Sequence, residues 1–588
     1  MPEPGTMSEA RSECALAVIG SGGSGVMQLG DLLLETAAAC GLYGLLTRTY
    51  GPEVRGGESA GFLRLGSRAF EVLPDKLDLA VVFDWNNSEH VQQELQFKPD
   101  GWVLYEETAG DPPNWLPRDA PWCPVPWKRL AAEIESEARP NLVAFGALCQ
   151  LLGLGREPAG AAMSARLGEQ GGELALRAFK RGAAWIEQVG KRQWRLPVVA
   201  IDVRRWVLTG NDAIVLGALH AGCGFFSGYP ITPATDIMEA LSRHLPERGG
   251  LLVQAEDELA AINMAIGASF AGTRAMTATS GPGFSLMAEG LGLAVMTEVP
   301  LVVIDVQRVG PSTGIATKTE QADLWAAVAS SHGDNPRVVL APSSVRGCAE
   351  LTARAFQLAE AYRVPVIILS DQFLGGRAEI LDPIPLEEMD GQEQTAKEHG
   401  EVRAGGRGGG LGGADVPMML PGMPGGEYTG ESLEHDPSGR PDSSFDMHQI
   451  QARRRREKLQ ALGGEKGWLE CCGDPSASVA LIAWGSTGGV VCEAVHIAAA
   501  QGSQIQGILL HLLFPPQPGL LEPLLQGVET LYVVELSSMA QFLYYLRAFY
   551  KLPARVVSLA RPGGRPYRVG ELLTALNVSD AEAKAGRM

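Results

Sequence analysis

This 588-residue chain contains nine cysteines, at 14, 40, 123, 149, 223, 348, 471, 472 and 492, yet no CxxC pair. Scattered thiols without ligand spacing argue against an iron–sulfur cluster or zinc site built by this chain, and they read as reduced, mostly buried small side chains. No uninterrupted apolar run approaches the roughly 18 residues of a spanning helix, so no membrane association is expected. Residues 1–13 mix acids with arginine and lack an apolar centre, so they do not read as a signal peptide, and a cytoplasmic location is expected. Positive charge is scarce: 49 Lys and Arg face 68 Asp and Glu, a net charge of -19. That balance speaks against nucleic-acid binding, which needs a basic face, and leaves small anionic ligands open. Short-period repeats are missing too. What remains is ordinary globular composition, 45% apolar and 20% charged, in a chain too long for one core.

The most informative segment is 228–283. It holds Tyr229-Pro230-Ile231-Thr232-Pro233, a helix pattern, an apolar strand at 251–254, the acids Glu256, Asp257 and Glu258, a small-residue helix stopping near Gly272, and a strand at 275–278. That strand runs into Thr279-Ser280-Gly281-Pro282-Gly283. Successive strand-to-helix crossings deliver polar groups to strand carboxyl ends, where open parallel sheets collect ligands. The acids alone could simply complement a helix dipole. Further on, residues 298–308 form an apolar strand ending in Arg308, followed by Gly310-Pro311-Ser312-Thr313-Gly314 and Lys318-Thr319-Glu320-Gln321. An arginine at a strand end can clamp a carboxylate by two parallel bonds, which a lysine cannot do.

The YPITP turn, the EDELAA helix start and the TSGPG loop resemble the pyrimidine-binding domain of 2-oxoacid:ferredoxin oxidoreductases, which use thiamine diphosphate. The resemblance implies that a helix-start glutamate bonds N1' of the aminopyrimidine and drives the tautomer switch that exposes the base for the thiazolium C2 proton. In related thiamine enzymes that glutamate lies nine residues before a glycine that lets the helix pack closely, and Gly267 minus nine is Glu258. Glu258 is therefore the expected catalytic acid, with Glu256 as the alternative. The family places an arginine eight residues after the strand's proline, and Pro300 plus eight is Arg308. The same scheme puts Thr232 and Arg308 on the substrate and Tyr229, Pro230, Ile231, Thr279, Ser280 and Gly281 around the cofactor. Lys318 is a candidate for a second substrate charge.

Near the N-terminus a strand at 15–19 precedes Gly20-Ser-Gly22-Gly23-Ser-Gly25 and a helix at 26–40, a GxGxxG in the context that suits a phosphate. The following stretch, 45–50, offers no acid for a ribose, which disfavours a nicotinamide dinucleotide. Residues 50–57, with Arg55, resemble the YGPExRGG stretch of the family's gamma domain, which is associated with coenzyme A. Gly22, Gly23 and Arg55 are thereby implied as coenzyme A contacts.

The expected fold class is α/β, with three parallel-sheet domains. These are a gamma-type, Rossmann-like domain at 14–190, a pyrimidine-binding domain at 203–387 and a transketolase C-terminal-like domain at 467–577. A Gly/Pro-rich linker at 388–466 separates the last two; residues 390–430 are too glycine-rich to offset their ordering entropy unaided. The run Arg453–Arg456 reads as a solvated or interface face. The resemblance implies a fused gamma–alpha subunit of the 2-oxoglutarate branch, converting a 2-oxoacid and coenzyme A to acyl-CoA and CO2 with electrons passing to ferredoxin. The chain has no GDG followed by a distant asparagine, the thiamine-enzyme motif for magnesium and the diphosphate. A beta subunit is thus implied to bring Mg2+, the diphosphate site and a [4Fe-4S] cluster, in an (alpha-beta)2 assembly. Pyruvate, branched-chain oxoacids and indolepyruvate are alternative substrates. A non-catalytic assembly or regulatory subunit is the alternative of another class.

Overall fold

The computed structural model describes residues 8–50, 57–86, 88–116, 122–189, 193–199, 201, 203–385, 420–424, 430–436, 439–464 and 467–576. These fall into two compact units, those within Met1–Thr209, Gly376–Ile384 and Arg568–Met588, and those within Gly210–Gly375 and Pro385–Tyr567.

The first unit is built on an eight-stranded sheet in the order Trp122–Val125, Phe97–Glu106, Leu77–Val82, Glu13–Ser21, Glu58–Gly66, Tyr43–Tyr50, Ala378–Leu381, Trp206–Thr209. The first four run parallel, and antiparallel pairing begins at Glu58–Gly66. One apolar cluster joins this sheet to the helices Val26–Ala39, Pro140–Leu152 and Arg156–Val189. Pro140 starts its helix with φ already suited to the first turn, and Gly153 ends it with φ 74°. The last two helices approach backbone to backbone: a Cβ at Gly146 would strike the Phe179 carbonyl, and one at Gly182 the Val143 carbonyl. The third helix is broken at Gly168.

The second unit contains two sheets. The larger runs Leu251–Gln254, Phe225–Gly228, Ala275–Thr279, Leu301–Gln307, Pro365–Asp371, Val338–Leu340, Leu512–Phe514, parallel throughout except for its last strand. Leu301–Gln307 and Pro365–Asp371 are buried at every position, as strands covered on both faces must be. The smaller runs Leu469–Gly473, Gln506–Leu510, Val479–Trp484, Thr530–Glu535, Arg555–Ala560, with only its first strand antiparallel. Both sheets share a core in which Leu301, Val303, Ile367 and Leu369 join Ile482, Trp484, Leu531 and Phe542.

The α/β class holds, with parallel-rich sheets that admit antiparallel strands. The boundaries are less local than the sequence suggests. Trp206–Thr209 and Ala378–Leu381, at the two ends of the segment expected as the second domain, pair with each other in the first unit's sheet. Periodicity along the chain carries no information about such distant pairing.

Part of the expected linker is built. The helix Phe445–Glu457 is capped by Ser444, whose hydroxyl accepts from Met447 N–H. Glu298 holds it through Arg454 at 2.5 Å and Lys458 at 3.5 Å, with Arg363 on the other carboxylate oxygen at 3.5 Å. Arg455 makes two 2.8 Å bonds to Glu434. Arg454 and Arg455 therefore clamp the helix to its own unit rather than forming a plain solvated face. Residues 390–419, the glycines at 425–426 of the same linker, the 51–56 stretch with Arg55, and the tail 577–588 lie outside the described residues. Among the described residues no helix is long and apolar enough to cross a membrane, and no cluster of three or more His, Cys, Asp or Glu could hold a metal ion. Cys14, Cys40, Cys149, Cys223 and Cys348 are buried thiols in no disulfide, and burial pushes Cys223 up to about 12.

Candidate functional site

Four neighbouring parallel strands of the second unit end on the same edge, and each carries one of the sequence motifs. Phe225–Gly228 leads into the YPITP turn, Leu251–Gln254 into the acidic cluster, Ala275–Thr279 into the TSGPG loop, and Leu301–Gln307 into Arg308. Parallel pairing is what brings these otherwise distant segments side by side.

The three acids divide their work. Glu256 is exposed. Asp257 is the N-cap of the helix Glu258–Phe270, its side chain accepting from Ala260 N–H at 2.7 Å, an interaction worth about 1 kcal/mol. Glu258 is the first helical residue and only 6% exposed. Its carboxylate lies against the TSGPG loop, and a Cβ on Gly283 would collide with both Glu258 Oε1 and Thr279 Oγ1. Gly283 therefore makes room for the glutamate. Among the described residues that carboxylate accepts no hydrogen bond, so its acceptor capacity is open to a ligand. Gly267 is exposed with nothing near its missing Cβ, so the tight packing expected there is not made among the described residues.

Arg308 is 8% exposed and donates from Nη1 to the Thr232 carbonyl at 2.6 Å, joining the two residues assigned to substrate. Its Nε is buried without a partner among the described residues, and burial lowers the guanidinium's basicity. On the Thr232 side, the Thr232–Pro233 peptide is cis, and Asn211 donates to the Pro233 carbonyl at 3.0 Å. Thr279 and Ser280 are fully buried, and the Ser280 hydroxyl is unpartnered. Tyr229 is 42% exposed, Pro230 and Ile231 are half-buried, and Gly281 begins the short helix after the loop. Lys318 is half-buried in the loop beyond Arg308, where its carbonyl accepts from Val309 N–H at 2.9 Å.

Sequence reasoning missed two carboxyls here. Asp305 is the lone acid in a strand that is otherwise apolar up to Gln307, fully buried, with neither oxygen hydrogen-bonded among the described residues. Burial first, then the Asp323 charge, raises its pKa well above the usual range. Asp323, half-buried, approaches Gly281 so closely that a Cβ there would stand 2.8 Å from Asp323 Oδ2. The signal was available: a single Asp inside a run of buried β-branched residues is costly unless it serves a purpose.

The glycine loop of the first unit has a different character. Asp84 accepts from Ser21 N–H at 2.9 Å and Ser21 Oγ at 2.8 Å, and Gly22 N–H bonds the Gly57 carbonyl at 2.9 Å. Gly23, Gly25, Asp84, Glu106, Lys128 and Arg139 help line a cavity of about 470 Å³ at this loop. The strand Tyr43–Tyr50 lies two places from Glu13–Ser21 in the sheet, whereas the parallel neighbour is Leu77–Val82. The acid at that strand's end is Asp84, and it is spent on Ser21.

The fold and the motifs at one sheet edge define a class, the α/β thiamine-type oxidoreductases. A family model for the thiamine-diphosphate-binding part of pyruvate flavodoxin/ferredoxin oxidoreductases matches residues 216–454, and one for pyruvate ferredoxin/flavodoxin oxidoreductase matches 15–185. The chain is 37% identical to the 2-oxoglutarate synthase subunit KorA of Methanothermobacter marburgensis, over 63% of this chain and 98% of the relative. It is 28% identical to the 2-oxoacid:ferredoxin oxidoreductase subunit alpha of a Sulfolobus species, over 95% of both chains. Its structure superposes with TM-score 0.88 and 32% identity on the 2-oxoglutarate:ferredoxin oxidoreductase of Magnetococcus marinus, solved with 2-oxoglutarate, coenzyme A and succinyl-CoA bound, covering 96% of this chain and 99% of that one. The chain belongs to the 2-oxoacid:ferredoxin oxidoreductase alpha-subunit family, a family of enzymes.

Proposed function

We propose that this chain provides the aminopyrimidine side of a thiamine-diphosphate site for oxidative decarboxylation of 2-oxoglutarate with coenzyme A, yielding succinyl-CoA, CO2 and reduced ferredoxin. The observation that carries this reading is Glu258, buried at a helix start against Gly283 and Thr279 with an open carboxylate. The residues fit the cofactor: an unpaired acceptor at Glu258, an orphaned Ser280 hydroxyl and a glycine cradle would receive a flat heteroaromatic ring bearing polar edges.

Bound there, thiamine diphosphate supplies the electron sink for the carbon freed of CO2. Glu258 holds a proton against the ring nitrogen N1' by a charge-assisted bond of roughly 1.5–3 kcal/mol. Tyr229, Pro230, Ile231, Thr279, Ser280 and Gly281 shape the pocket and exclude water. Arg308, fixed by the Thr232 carbonyl, presents its remaining N–H groups to a substrate carboxylate, with Thr232 beside it. Lys318 is assigned to a second substrate charge, which suits a dicarboxylate.

A beta subunit completes the site with Mg2+, the diphosphate pocket and a [4Fe-4S] cluster, in an (alpha-beta)2 enzyme. The helix face bearing Leu259, Met264 and Gly267, exposed in this chain, is where that subunit would pack. Coenzyme A is assigned to the glycine loop with Gly22, Gly23 and Arg55, supported by the adjoining cavity and its Lys128 and Arg139. A cytoplasmic location follows from the need for ferredoxin and coenzyme A.

The test is co-expression with the neighbouring beta-type subunit, then viologen or ferredoxin reduction with a panel of 2-oxoacids and coenzyme A. Reduction with 2-oxoglutarate alone is expected. Reduction only with pyruvate, a branched-chain oxoacid or indolepyruvate would replace the substrate. A complex loaded with thiamine diphosphate and inert toward all of them would point to an assembly or regulatory subunit.

A further inference from the structure

Asp323 and Asp305 have no place in the site as described so far, yet both stand at it. Asp323 is anchored from behind, its N–H donating to Gln307 Oε1 at 3.1 Å, one residue before Arg308. Its carboxyl touches the TSGPG loop at Gly281. Arg308 stands close enough for its charge to draw the Asp323 carboxyl down, and opposite charges at a protected edge ordinarily close into an ion pair. Here Asp323 and Arg308 do not, and among the described residues neither Asp323 carboxyl oxygen nor Arg308 Nε has a hydrogen-bond partner. Both retain capacity for a third group. Directly behind, Asp305 pairs in register with Thr279 and lies in an apolar face that cannot host an unpaired charge.

On the reading that Arg308 binds substrate, we propose that Asp323 is a substrate-recognition residue that carries a proton. It faces the anion held by Arg308 and donates its O–H to it, so that binding a 2-oxoacid takes up one proton from solvent. Ionised, the same carboxylate would repel that anion. The surroundings favour the protonated form. Burial and the Glu320 charge push Asp323 up to about 6, while Arg308 draws it down. The Glu320 carboxylate accepts from the Gly310 and Gly563 N–H groups at 3.1 and 2.9 Å, which hold it in place near Asp323. On the other elements, the Ser280–Gly281 segment has no titratable side chain, the same loop meets the Glu258 carboxylate at Gly283, and Gln541 bonds the Ala322 carbonyl and Trp325 N–H. Asp305 is the remaining titratable neighbour, kept neutral by its own burial.

The experiment uses the complete complex and glutarate, an unreactive dicarboxylate, as competitive inhibitor between about pH 5.5 and 8.5. Calorimetry of glutarate binding in buffers of different ionisation heat counts the protons exchanged. The wild-type inhibition constant is expected to be flat below about pH 6 and to rise roughly tenfold per pH unit above it, with one proton taken up near pH 7.5. Asp323→Asn should abolish both the slope and the proton uptake, and bind glutarate more than about tenfold tighter than wild type at pH 8. A flat wild-type profile, an Asn variant that keeps the slope, or no glutarate binding at any pH overturns the proposal. If Asp323→Asn does not fold, Asp305→Asn decides: retention of the slope is expected, and its loss would transfer the proton to Asp305 and defeat the assignment. Failure of the functional reading looks different, since glutarate would then bind with the proposed pH dependence while no 2-oxoacid is turned over.

Discussion

Two glycine loops follow parallel strands in this chain, one at Gly20–Gly25 and one at Ser280–Gly283, and their polar groups are in opposite states. In the first, Ser21 is fixed by Asp84, Ser24 Oγ bonds the Ser21 carbonyl at 2.6 Å, and Asn141 reaches Gln28 at 2.9 Å. In the second, the Ser280 hydroxyl, both Asp305 oxygens and Arg308 Nε are buried without partners among the described residues. A satisfied buried group stabilises the loop that carries it; an orphaned one costs about 1–3 kcal/mol unless a ligand completes it. The first loop offers shape and backbone, the second offers chemistry. A glycine pattern by itself does not distinguish them.

The widest gap between the loops is expected from Glu258→Gln. The amide keeps the volume but loses the acid, and turnover of the assembled enzyme should fall by roughly 10²–10⁴. Circular dichroism and melting temperature should stay near wild type, because Asp257 rather than Glu258 caps the helix. Activity near wild type would remove Glu258 from the site. Arg308→Lys comes next. Losing the planar fork should lower kcat/KM about 10- to 100-fold, chiefly through KM, since binding to the Thr232 carbonyl and to substrate cannot both be kept by a point charge. Unchanged kinetics would leave the orphaned Nε without its proposed ligand.

Paired glycine substitutions compare the loops directly. Gly283→Ala puts a methyl into Thr279 and Glu258, and should cost about 1–3 kcal/mol together with most of the activity. Gly23→Ala meets nothing within 4 Å, but sits at φ 98°, so about 1 kcal/mol of backbone strain is expected with a smaller loss of turnover. Thermal melts and steady-state kinetics on both variants check the ranking; equal losses of activity would dissolve the contrast between the loops.

The legible part of this molecule was what is local along the chain. The strand at 251–254, the Gly272 stop and the motifs at 229–233, 256–258, 279–283 and 308 could be read because each is one strand end and its following turn. Their convergence could be anticipated only from the resemblance, since parallel register is a property of strands far apart in sequence. For the same reason the sequence places Trp206–Thr209 and Ala378–Leu381 in a neighbouring domain, and looks for a ribose acid at 45–50 although the parallel neighbour of Glu13–Ser21 is Leu77–Val82. Asp323 escaped because it sits in a loop, where an acid is unremarkable until Gly281 is seen against it. Lys458, half-buried beside Glu298 and lowered to about 8 by desolvation, escaped because a run of arginines and lysines reads as surface.

Glu535 provides the mildest test of the same comparison. It is a fully buried carboxylate in the second unit whose oxygens are satisfied, accepting from Phe542 N–H at 2.8 Å and Leu543 N–H at 3.0 Å. By the criterion above it is structural, and Glu535→Gln should leave kcat unchanged while costing roughly 1–3 kcal/mol, because an amide N–H₂ replaces one acceptor. Burial raises Glu535 from 4.5 to about 7 despite those two donors. The folded chain therefore holds a proton that the unfolded chain has released between those values. This contribution to stability is complete below 4.5 and is lost as pH rises through about 7. Glutamine does not titrate, so the stability gap between wild type and variant should be widest near pH 4.5 and narrow toward pH 8. A gap that widens with pH would mean that Glu535 is ionised throughout and that its two N–H donors outweigh its burial.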